Sequence, residues 1–352
     1  MSDAMTLFSQ TLEQLRLAAV NVPGLTDLAD APFLFRPLVM VVLLGVVAGV
    51  IGVIVNLRSA EFSAEAMVHA VFPGIVAGAV YWGIDAIIPA ASVVAVVAAL
   101  VLTIVSHRSR RGEASEAGTA VVLTSFFSIG LILSLAKGDM SGQLEALMFG
   151  RLLEVTDARL AQALIVCAVA LLLIMATWKE QVAYAFDRTG ARASGLRLLM
   201  LDLVLNTAIA AAVVSASTAV GILLVIGYLV IPGATARILA SRVRTMVLVA
   251  IAVGVGGGYL GMLLMALPET LDKPISPQAT VALVMTGILL LAVCVAAVRE
   301  RLRRPARRAR SAQPATAVST STTASADATV DRAGGPEGSA SAVAPMAEGG
   351  RV

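Results

Sequence analysis

The fold of this 352-residue chain is decided by its first long apolar stretch, PLVMVVLLGVVAGVIGVIVN at residues 37–56. An uncharged stretch of this length is what an α-helix needs to cross the hydrocarbon core of a bilayer. Apolar runs of similar character follow along the chain, at 66–82, 86–106, 117–136, 160–178, 198–216, 219–239, 246–266 and 279–298. The pattern predicts an all-α, polytopic transmembrane helical bundle with about nine spans.

The composition supports a membrane protein. Hydrophobic residues make up 58% of the chain and charged residues 14%, whereas soluble domains carry about 25% charged residues. The mean hydropathy is +0.90. An outer-membrane barrel would instead show shorter segments that alternate apolar and polar residues. We therefore expect a multi-pass protein of a bacterial plasma (inner) membrane. Nucleic acid is not an expected partner, because the arginines cluster at the ends of apolar runs.

The distribution of lysine and arginine predicts the orientation. With nine spans, the segments on the side of the C-terminus hold 18 Lys and Arg residues, counted up to Arg310, and the opposite segments hold 6. Basic residues accumulate in cytoplasmic loops. The chain is therefore predicted to have its N-terminus outside and its C-terminus in the cytoplasm.

Four regions are predicted from the same pattern. Residues 1–36 form an extracytoplasmic surface segment with a short helix, and residues 37–298 form the transmembrane domain. Residues 299–310 are a basic juxtamembrane patch that lies against anionic membrane lipid. Residues 311–352, which contain no aromatic residue and no Leu or Ile, are predicted to be a disordered cytoplasmic tail.

Several of the apolar runs should contain irregular backbone. The continuous run 198–239 is too long for one span, and we divide it at Ser215, Ser217 and Thr218. Segments with Pro73, Pro89 or Pro232 are predicted to be broken or kinked helices. Irregular backbone is tolerated at membrane depth only where it packs against protein or lines a wet cavity, and this favours a transport pathway.

Ionisable residues at membrane depth are costly unless paired or hydrated, so they are candidate functional residues. Glu65 and His69 are four residues apart, on one helical face, and offer oxygen and nitrogen ligands for a divalent cation. Alternatively, Glu65 interacts with a helix N-terminus and His69 is a packing residue. Asp202 and Asn206 either line the same pathway or hydrogen-bond a neighbouring helix.

Small residues spaced four apart permit close approach of helices. Such pairs are Gly45 and Gly49, Gly74 and Gly78, Gly254 and Gly258, and Gly257 and Gly261. Ordinary packing inside the bundle is the simplest role, and the stretch Gly254–Gly261 is a candidate interface between helices or subunits.

The chain lacks a GxxxxGK[ST] sequence, so it is not expected to bind ATP phosphates. No arrangement of a nucleophile and a base appears either. We expect neither an enzyme nor a resident cofactor.

Five segments in series resemble the metal-ion importer permeases of the ATP-binding-cassette class. They are LRSAEFSAEAMVHAVFPG (57–74), GEASEAGTAVVLTSFFSIGLIL (112–133), LEALMFGRLLEV (144–155), DRTGARASGLRLLMLDLVL (187–205) and AVGILLVIGYLVIPGATARIL (219–239). The first departs from the family pattern at Ala64, Glu65 and Val68, where the family has glycine, aspartate and serine.

The resemblance implies a homodimeric permease subunit that associates with cytoplasmic ATPase subunits, which use the ATP, and with an extracytoplasmic solute-binding protein. The implied cargo is zinc, manganese or iron, free or chelated, with transient contact to His69 and Glu65. The loop 184–197, with Asp187, Ala191 and Gly195, becomes the element that couples to the ATPase.

Two other functions remain open from the sequence. A permease of the same architecture could carry a siderophore, haem or corrinoid, in which case Glu65 and His69 would not be needed. An ion-coupled secondary carrier would use Asp202 and Glu65 as titrating groups.

Overall fold

The computed structural model describes residues 2–108, 112–136, 150–266 and 276–311, and these ranges contain helices and turns but no β-strand. Residues Met1–Arg301 form one compact unit. Its helices, in chain order, are α1 (Ser2–Val20), α2 (Thr26–Ala29), α3 (Pro32–Leu57), α4 (Glu61–Ala70), α5 (Phe72–Ala77), α6 (Ile87–Arg108), α7 (Gly112–Leu135), α8 (Asp157–Ala176), α9 (Trp178–Phe186), α10 (Arg188–Ala193), α11 (Leu198–Val220), α12 (Ile222–Leu239), α13 (Val243–Ala266) and α14 (Pro277–Ser311). A π-helix (Gly78–Trp82) and two 3₁₀ turns (Ile84–Ala86, Leu152–Glu154) complete the described elements.

The predicted all-α, membrane-spanning architecture is confirmed. Within the described ranges, eight helical segments are long and apolar enough to cross a membrane, and they match eight of the nine predicted runs. The remaining run, 219–239, corresponds to α12, whose apolar part Leu224–Leu239 is shorter. Orientation across the membrane remains a prediction.

The break in the long run 198–239 lies at Gly221, a few residues after the predicted division at Ser215–Thr218. Gly221 has a φ of +80°, a backbone conformation that glycine adopts without steric cost. Gly150, with a φ of +79°, lies directly against the backbone of Val220 and Gly221. The break between α11 and α12 therefore depends on two glycines that are far apart in sequence.

The proline-bearing segments behave differently from one another. Pro73 is the second residue of α5, which begins after the interruption at Val71, so its missing N–H costs no helical hydrogen bond. Pro89 is the third residue of α6, again within a first turn. Pro232 lies inside α12 without ending it. The predicted break is thus confirmed at Pro73.

Helix α3 is the most enclosed span, and 78% of its apolar window is buried. It packs antiparallel to α13 through glycines on both helices. An added Cβ on Gly45 would fall 2.6 Å from the Val255 nitrogen, and one on Gly254 would fall 2.7 Å from the Gly45 oxygen. We call this contact the α3–α13 seam.

The N-terminal segment contains the predicted surface helix. Helix α1 exposes Leu7, Leu15 and Leu17 and buries Leu12. Its Ser9 hydroxyl donates to Asp157 Oδ2 at the start of α8 over 3.1 Å. An extracytoplasmic location remains a prediction. The predicted basic patch 299–310 falls within helix α14, and the predicted disordered tail lies outside the described residues beyond position 311.

Candidate translocation and coupling sites

The interrupted segment α4–α5 lies inside the bundle, packed by α6, α7, α11 and α12. Phe72, Pro73 and Gly74 at the interruption are buried. Gly130 of α7 faces this point, because an added Cβ there would fall 2.6 Å from Phe72 Cδ1. Neighbouring helices therefore enclose the irregular backbone, as membrane depth requires.

His69 lies near the end of α4, two residues before the interruption at Val71. Its side chain is half-buried and meets the Phe127 ring edge-on, with the ring centroids 5.4 Å apart. Its Nδ1 atom is buried and has no hydrogen-bond partner among the described residues. Buried polar atoms are usually satisfied, so an unpaired imidazole nitrogen is suited to bind a group that arrives from outside the chain.

Glu65 lies one turn before His69 on α4, with an exposed side chain. The two residues supply one carboxylate and one imidazole. Over the described part of the chain, no group of three or more His, Cys, Asp or Glu side chains is placed to hold a metal ion. Among the described residues, Glu65 and His69 thus offer two ligands, and a two-ligand contact suits transient binding better than a resident ion.

Asp202 and Asn206 are both bonded to neighbouring helices. The Asn206 amide donates to Thr103 Oγ1 of α6 over 2.9 Å, in a buried position. Asp202 forms an ion pair with Arg58 at the end of α3. Its other carboxylate oxygen lies 3.8 Å from His107 Nδ1 of α6. Of the two roles left open by the sequence, the observed one is the contact between helices.

Two residues of α9 complete this group of side chains. Arg58 donates to Gln181 Oε1 over 2.7 Å, and its guanidinium lies 4.0 Å from the centroid of the Tyr184 ring. The Tyr184 hydroxyl donates to Asp202 Oδ2 over 3.5 Å. Burial, and then the Asp202 carboxylate, raise the pKa of Tyr184, so its hydroxyl stays protonated as a donor. We call Arg58, His107, Gln181, Tyr184 and Asp202 the Arg58 network.

Helix α10 occupies the loop predicted to couple to the ATPase, and its two ends are both capped. Asp187 precedes it and accepts the N–H groups of Thr189 (3.0 Å) and Gly190 (2.9 Å), as an N-cap does. At its other end, Gly195 N–H donates to the Arg192 oxygen and Leu196 N–H donates to the Ala191 oxygen. These bonds form a Schellman motif, with Gly195 in the left-handed position at φ +81°.

The three residues predicted in this loop therefore define a short helix that is capped at both ends. Asp187 begins it, Gly195 ends it, and Ala191 is buried with Tyr184, Leu198 and Leu201. The polar residues it leaves exposed are Arg188, Thr189 and Arg192, next to Phe186 at the end of α9, whose side chain is 70% exposed. A basic and aromatic surface on a capped helix is suited to contact another protein.

The glycine pairs lie at contacts within the chain. Added Cβ atoms on Gly74 and Gly78 would fall 2.8 Å from Ala91 Cα and Ile87 Cα of α6. Gly254 faces Gly45 of α3, and Gly258 contacts Val41 and Tyr228. Gly257 and Gly261 face α14 at Met285 and Val281. For the stretch Gly254–Gly261, the contacts are between helices of one chain.

Sequence reasoning missed most of the Arg58 network. Arg58 counted only as a cytoplasmic basic residue and as part of the family-like segment 57–74, and Gln181 was not singled out, because the first lies at the end of an apolar run and the second in a short polar segment. The available signal was the position of each residue. Arg58 lies three positions before the first residue of the helix that carries Glu65 and His69, and Gln181 is a polar residue on the apolar face of α9.

Comparison with known proteins places the chain in a family. The model of the ABC 3 transport family matches residues 30–296. The manganese transport system membrane protein MntC of Listeria monocytogenes is 33% identical over 239 residues, covering 68% of this chain and 83% of that protein. The manganese import system permease protein ScaB of Streptococcus gordonii is 30% identical over 236 residues, covering 67% and 83%. The chelated iron transport system membrane protein YfeC of Yersinia pestis is 31% identical over 212 residues, covering 60% and 70%.

Solved structures share the fold. PsaBC from Streptococcus pneumoniae in complex with Fab superposes with a TM-score of 0.65 at 24% identity, covering 76% of this chain and 94% of that one. An inward-facing metal-chelate type ABC transporter superposes with a TM-score of 0.59 at 11% identity, covering 83% and 99%. With its multiple apolar helices and a family match over residues 30–296, this multi-pass bacterial plasma membrane protein belongs to the ABC 3 transport family.

Proposed function

We propose that this chain is the membrane-spanning permease subunit of an ATP-binding-cassette importer that moves a divalent metal ion across the plasma membrane. The observation that carries the proposal is the continuous family match over residues 30–296, which runs from α3 into α14. Relatives that are at least 30% identical are named for transport of manganese or chelated iron. Manganese, iron and zinc are the cargoes to test.

His69 and Glu65 are the proposed contacts for the metal in the pathway. The unpaired His69 Nδ1 atom and the exposed Glu65 carboxylate support this role. Two ligands from one chain make a weak site, and a second copy in a homodimer would bring two more. Weak binding is an advantage here, because cargo must be released after it has entered.

Coupling to the ATPase is assigned to α10. Its two caps and its exposed Arg188, Thr189 and Arg192 side chains support a rigid docking element. In this mechanism, ATP binding closes the ATPase dimer, α10 moves with it, and the helices of the permease rock to open the path to one side and then the other. A solute-binding protein delivers cargo on the outer side.

The test is uptake of radioactive Mn²⁺ by proteoliposomes that contain the chain and its ATPase partner. His69→Ala and Glu65→Gln should each lower uptake at least tenfold without changing the amount of inserted protein. Glu61→Gln is the matched control, because Glu61 is on the same helix one turn further from His69, and its uptake should stay within about twofold of the unmodified protein.

Three outcomes would contradict the proposal. Uptake that proceeds without the ATPase, driven by a proton or sodium gradient, would favour the secondary carrier. Uptake of a siderophore, haem or corrinoid, with no uptake of Mn²⁺, Fe²⁺ or Zn²⁺, would favour a permease of the same architecture that carries such a molecule instead of a metal ion. Normal uptake by His69→Ala would show that His69 is a packing residue and not a contact for the metal.

A further inference from the structure

Arg58 occupies the junction between the most buried span and the proposed metal-contacting helix. It caps the end of α3 and is followed after two residues by Glu61, the first residue of α4. Between them, Ser59 has a φ of +51° and is the non-glycine residue with positive φ in the described ranges. Such a conformation is uncommon outside glycine, so the surrounding contacts must hold this turn in place.

The side chain of Arg58 is 9% exposed and points toward α9 and α11. It is paired with Asp202 of α11, donates to Gln181 of α9 and lies over the Tyr184 ring. Gln181 is completely buried and in turn donates to the Leu201 oxygen over 2.9 Å. The turn before α4 is therefore bonded to α9 and α11 by directional contacts rather than by apolar packing alone.

Helix α9 leads directly into α10. Asp187, which caps α10, immediately follows the last residue of α9, and Arg188 of α10 lies 5.8 Å from the centroid of the same Tyr184 ring that Arg58 covers. Tyr184 also packs with Ala191 of α10. A displacement of α10 thus acts on Tyr184, and through Tyr184, Gln181 and Asp202 it acts on Arg58.

We propose that Arg58, paired with Asp202, is the positioning residue that transmits movement of α10 to the start of α4, and so to Glu65 and His69. This inference rests on the proposed function. Its new content is the physical link between the ATPase-facing helix and the metal-contacting helix. Arg58 and Asp202 touch neither metal nor nucleotide in this scheme.

The chain provides a matched control for Arg58. Arg237 also binds the end of α3, where it donates to the Asn56 oxygen over 2.7 Å. It comes from α12 and is an exposed residue. Loss of Arg237 should loosen the same end of α3 without disconnecting α9 and α10.

The experiment measures metal ions transported per ATP hydrolysed, in proteoliposomes with the ATPase partner and Mn²⁺ as the probe. Arg58→Gln and Asp202→Asn should continue to hydrolyse ATP while the ratio falls at least tenfold. Arg58→Lys keeps the charge but loses the forked donor geometry, and should give an intermediate ratio. The exchanged pair, Arg58→Asp with Asp202→Arg, should recover part of the ratio. Arg237→Gln should keep the ratio of the unmodified protein.

Two results would overturn the link. One is a fall in ATP hydrolysis and in transport by the same factor, so that the ratio does not change in Arg58→Gln or Arg58→Lys. The other is an equal loss of ratio in Arg237→Gln. If Arg58→Gln fails to insert into the membrane, the link is tested by the ratio of metal ions transported to ATP hydrolysed in Arg58→Lys and Gln181→Ala. Absence of Mn²⁺, Fe²⁺ and Zn²⁺ uptake by the unmodified protein would instead contradict the proposed function.

Discussion

Gly195 shows how much one residue determines at the end of α10. Its φ of +81° is a conformation that costs other residues about 1–2 kcal/mol, although no heavy atom lies within 4 Å of an added Cβ. The expected effect of a substitution therefore comes from the backbone and not from a steric clash. Asparagine tolerates this region better than β-branched residues do.

We predict that Gly195→Val opens the C-terminal turn of α10 and that Gly195→Asn largely preserves it. Limited trypsin digestion at Arg192 and Arg197 is the measurement, because cleavage follows the population of the locally opened form. A loss of about 1–2 kcal/mol corresponds to cleavage that is about 5–30 times faster. Equal cleavage rates in the two variants would contradict a left-handed requirement at this position.

At the residue scale, the sequence was sufficient to identify candidates but not their partners. His69 and Glu65 stood out because ionisable residues are rare in apolar runs, and the structure adds that His69 Nδ1 is unpaired. Asp202 stood out for the same reason. Its ion pair with Arg58 spans 144 positions of sequence, and no local pattern predicts which distant helix ends will meet.

At the scale of helices, α6 and α11 are joined by two polar contacts at successive turns. Thr103 meets Asn206, and His107 meets Asp202. Because one position rises by four as the other falls by four, the helices are antiparallel, and both contacts lie on a single line between them. The Thr103–Asn206 pair is buried and neutral, and the His107–Asp202 pair belongs to the Arg58 network.

We predict a modest coupling between Thr103 and Asn206. A double-mutant cycle with Thr103→Val and Asn206→Leu should give an interaction energy of about 0.6 kcal/mol, the average for hydrogen bonds between membrane helices, and no more than about 1.7 kcal/mol. Reversible unfolding in mixed micelles is the measurement. Additive effects of the two substitutions would show that the hydrogen bond contributes no stability.

The α3–α13 seam permits a further prediction, in which a second glycine of α13 serves as the control. Gly254→Leu should destabilise the protein by about 3 kcal/mol, because the new side chain would overlap the backbone of α3 at Gly45. Gly256→Leu, two positions along the same helix, should be tolerated, since no atom lies within 4 Å of an added Cβ there. The midpoints of thermal unfolding in detergent should separate the two variants. Similar midpoints would contradict the close approach of α3 and α13.

Helix boundaries were only partly predictable. Length alone required a break in the run 198–239, and polar residues favoured Ser215–Thr218. The actual break at Gly221 depends on Gly150, which arrives from another part of the chain. The interruption before Pro73 was predictable, because the proline effect is local.

At the scale of the whole molecule, the membrane orientation is the prediction with the widest consequences. It rests on 18 basic residues on one side against 6 on the other. If it is wrong, the Arg58 network and α10 face away from the ATPase, and both proposals about coupling fail together.

Single cysteines should settle the orientation. After replacement of Cys167 and Cys294, Ser241→Cys, in the exposed turn between α12 and α13, should react with a membrane-impermeant maleimide only in inverted vesicles. Ile84→Cys, in the exposed turn before α6, should react only in intact cells. The opposite pattern would reverse the assignment, and reaction of both residues from one side would contradict the predicted number of crossings between them.

The spans differ in the fraction of their surface that other helices bury, and this difference determines which spans contact lipid. The apolar window of α3 is 78% buried, whereas that of α14 is 17% buried, with Leu290 and Leu291 open on its surface. A carbene-generating probe dissolved among the acyl chains should therefore modify α14 heavily and leave α3 almost unmarked. Annular lipid, and changes in bilayer thickness, would then act on the protein through exposed spans such as α14, whereas α3 is surrounded mostly by protein.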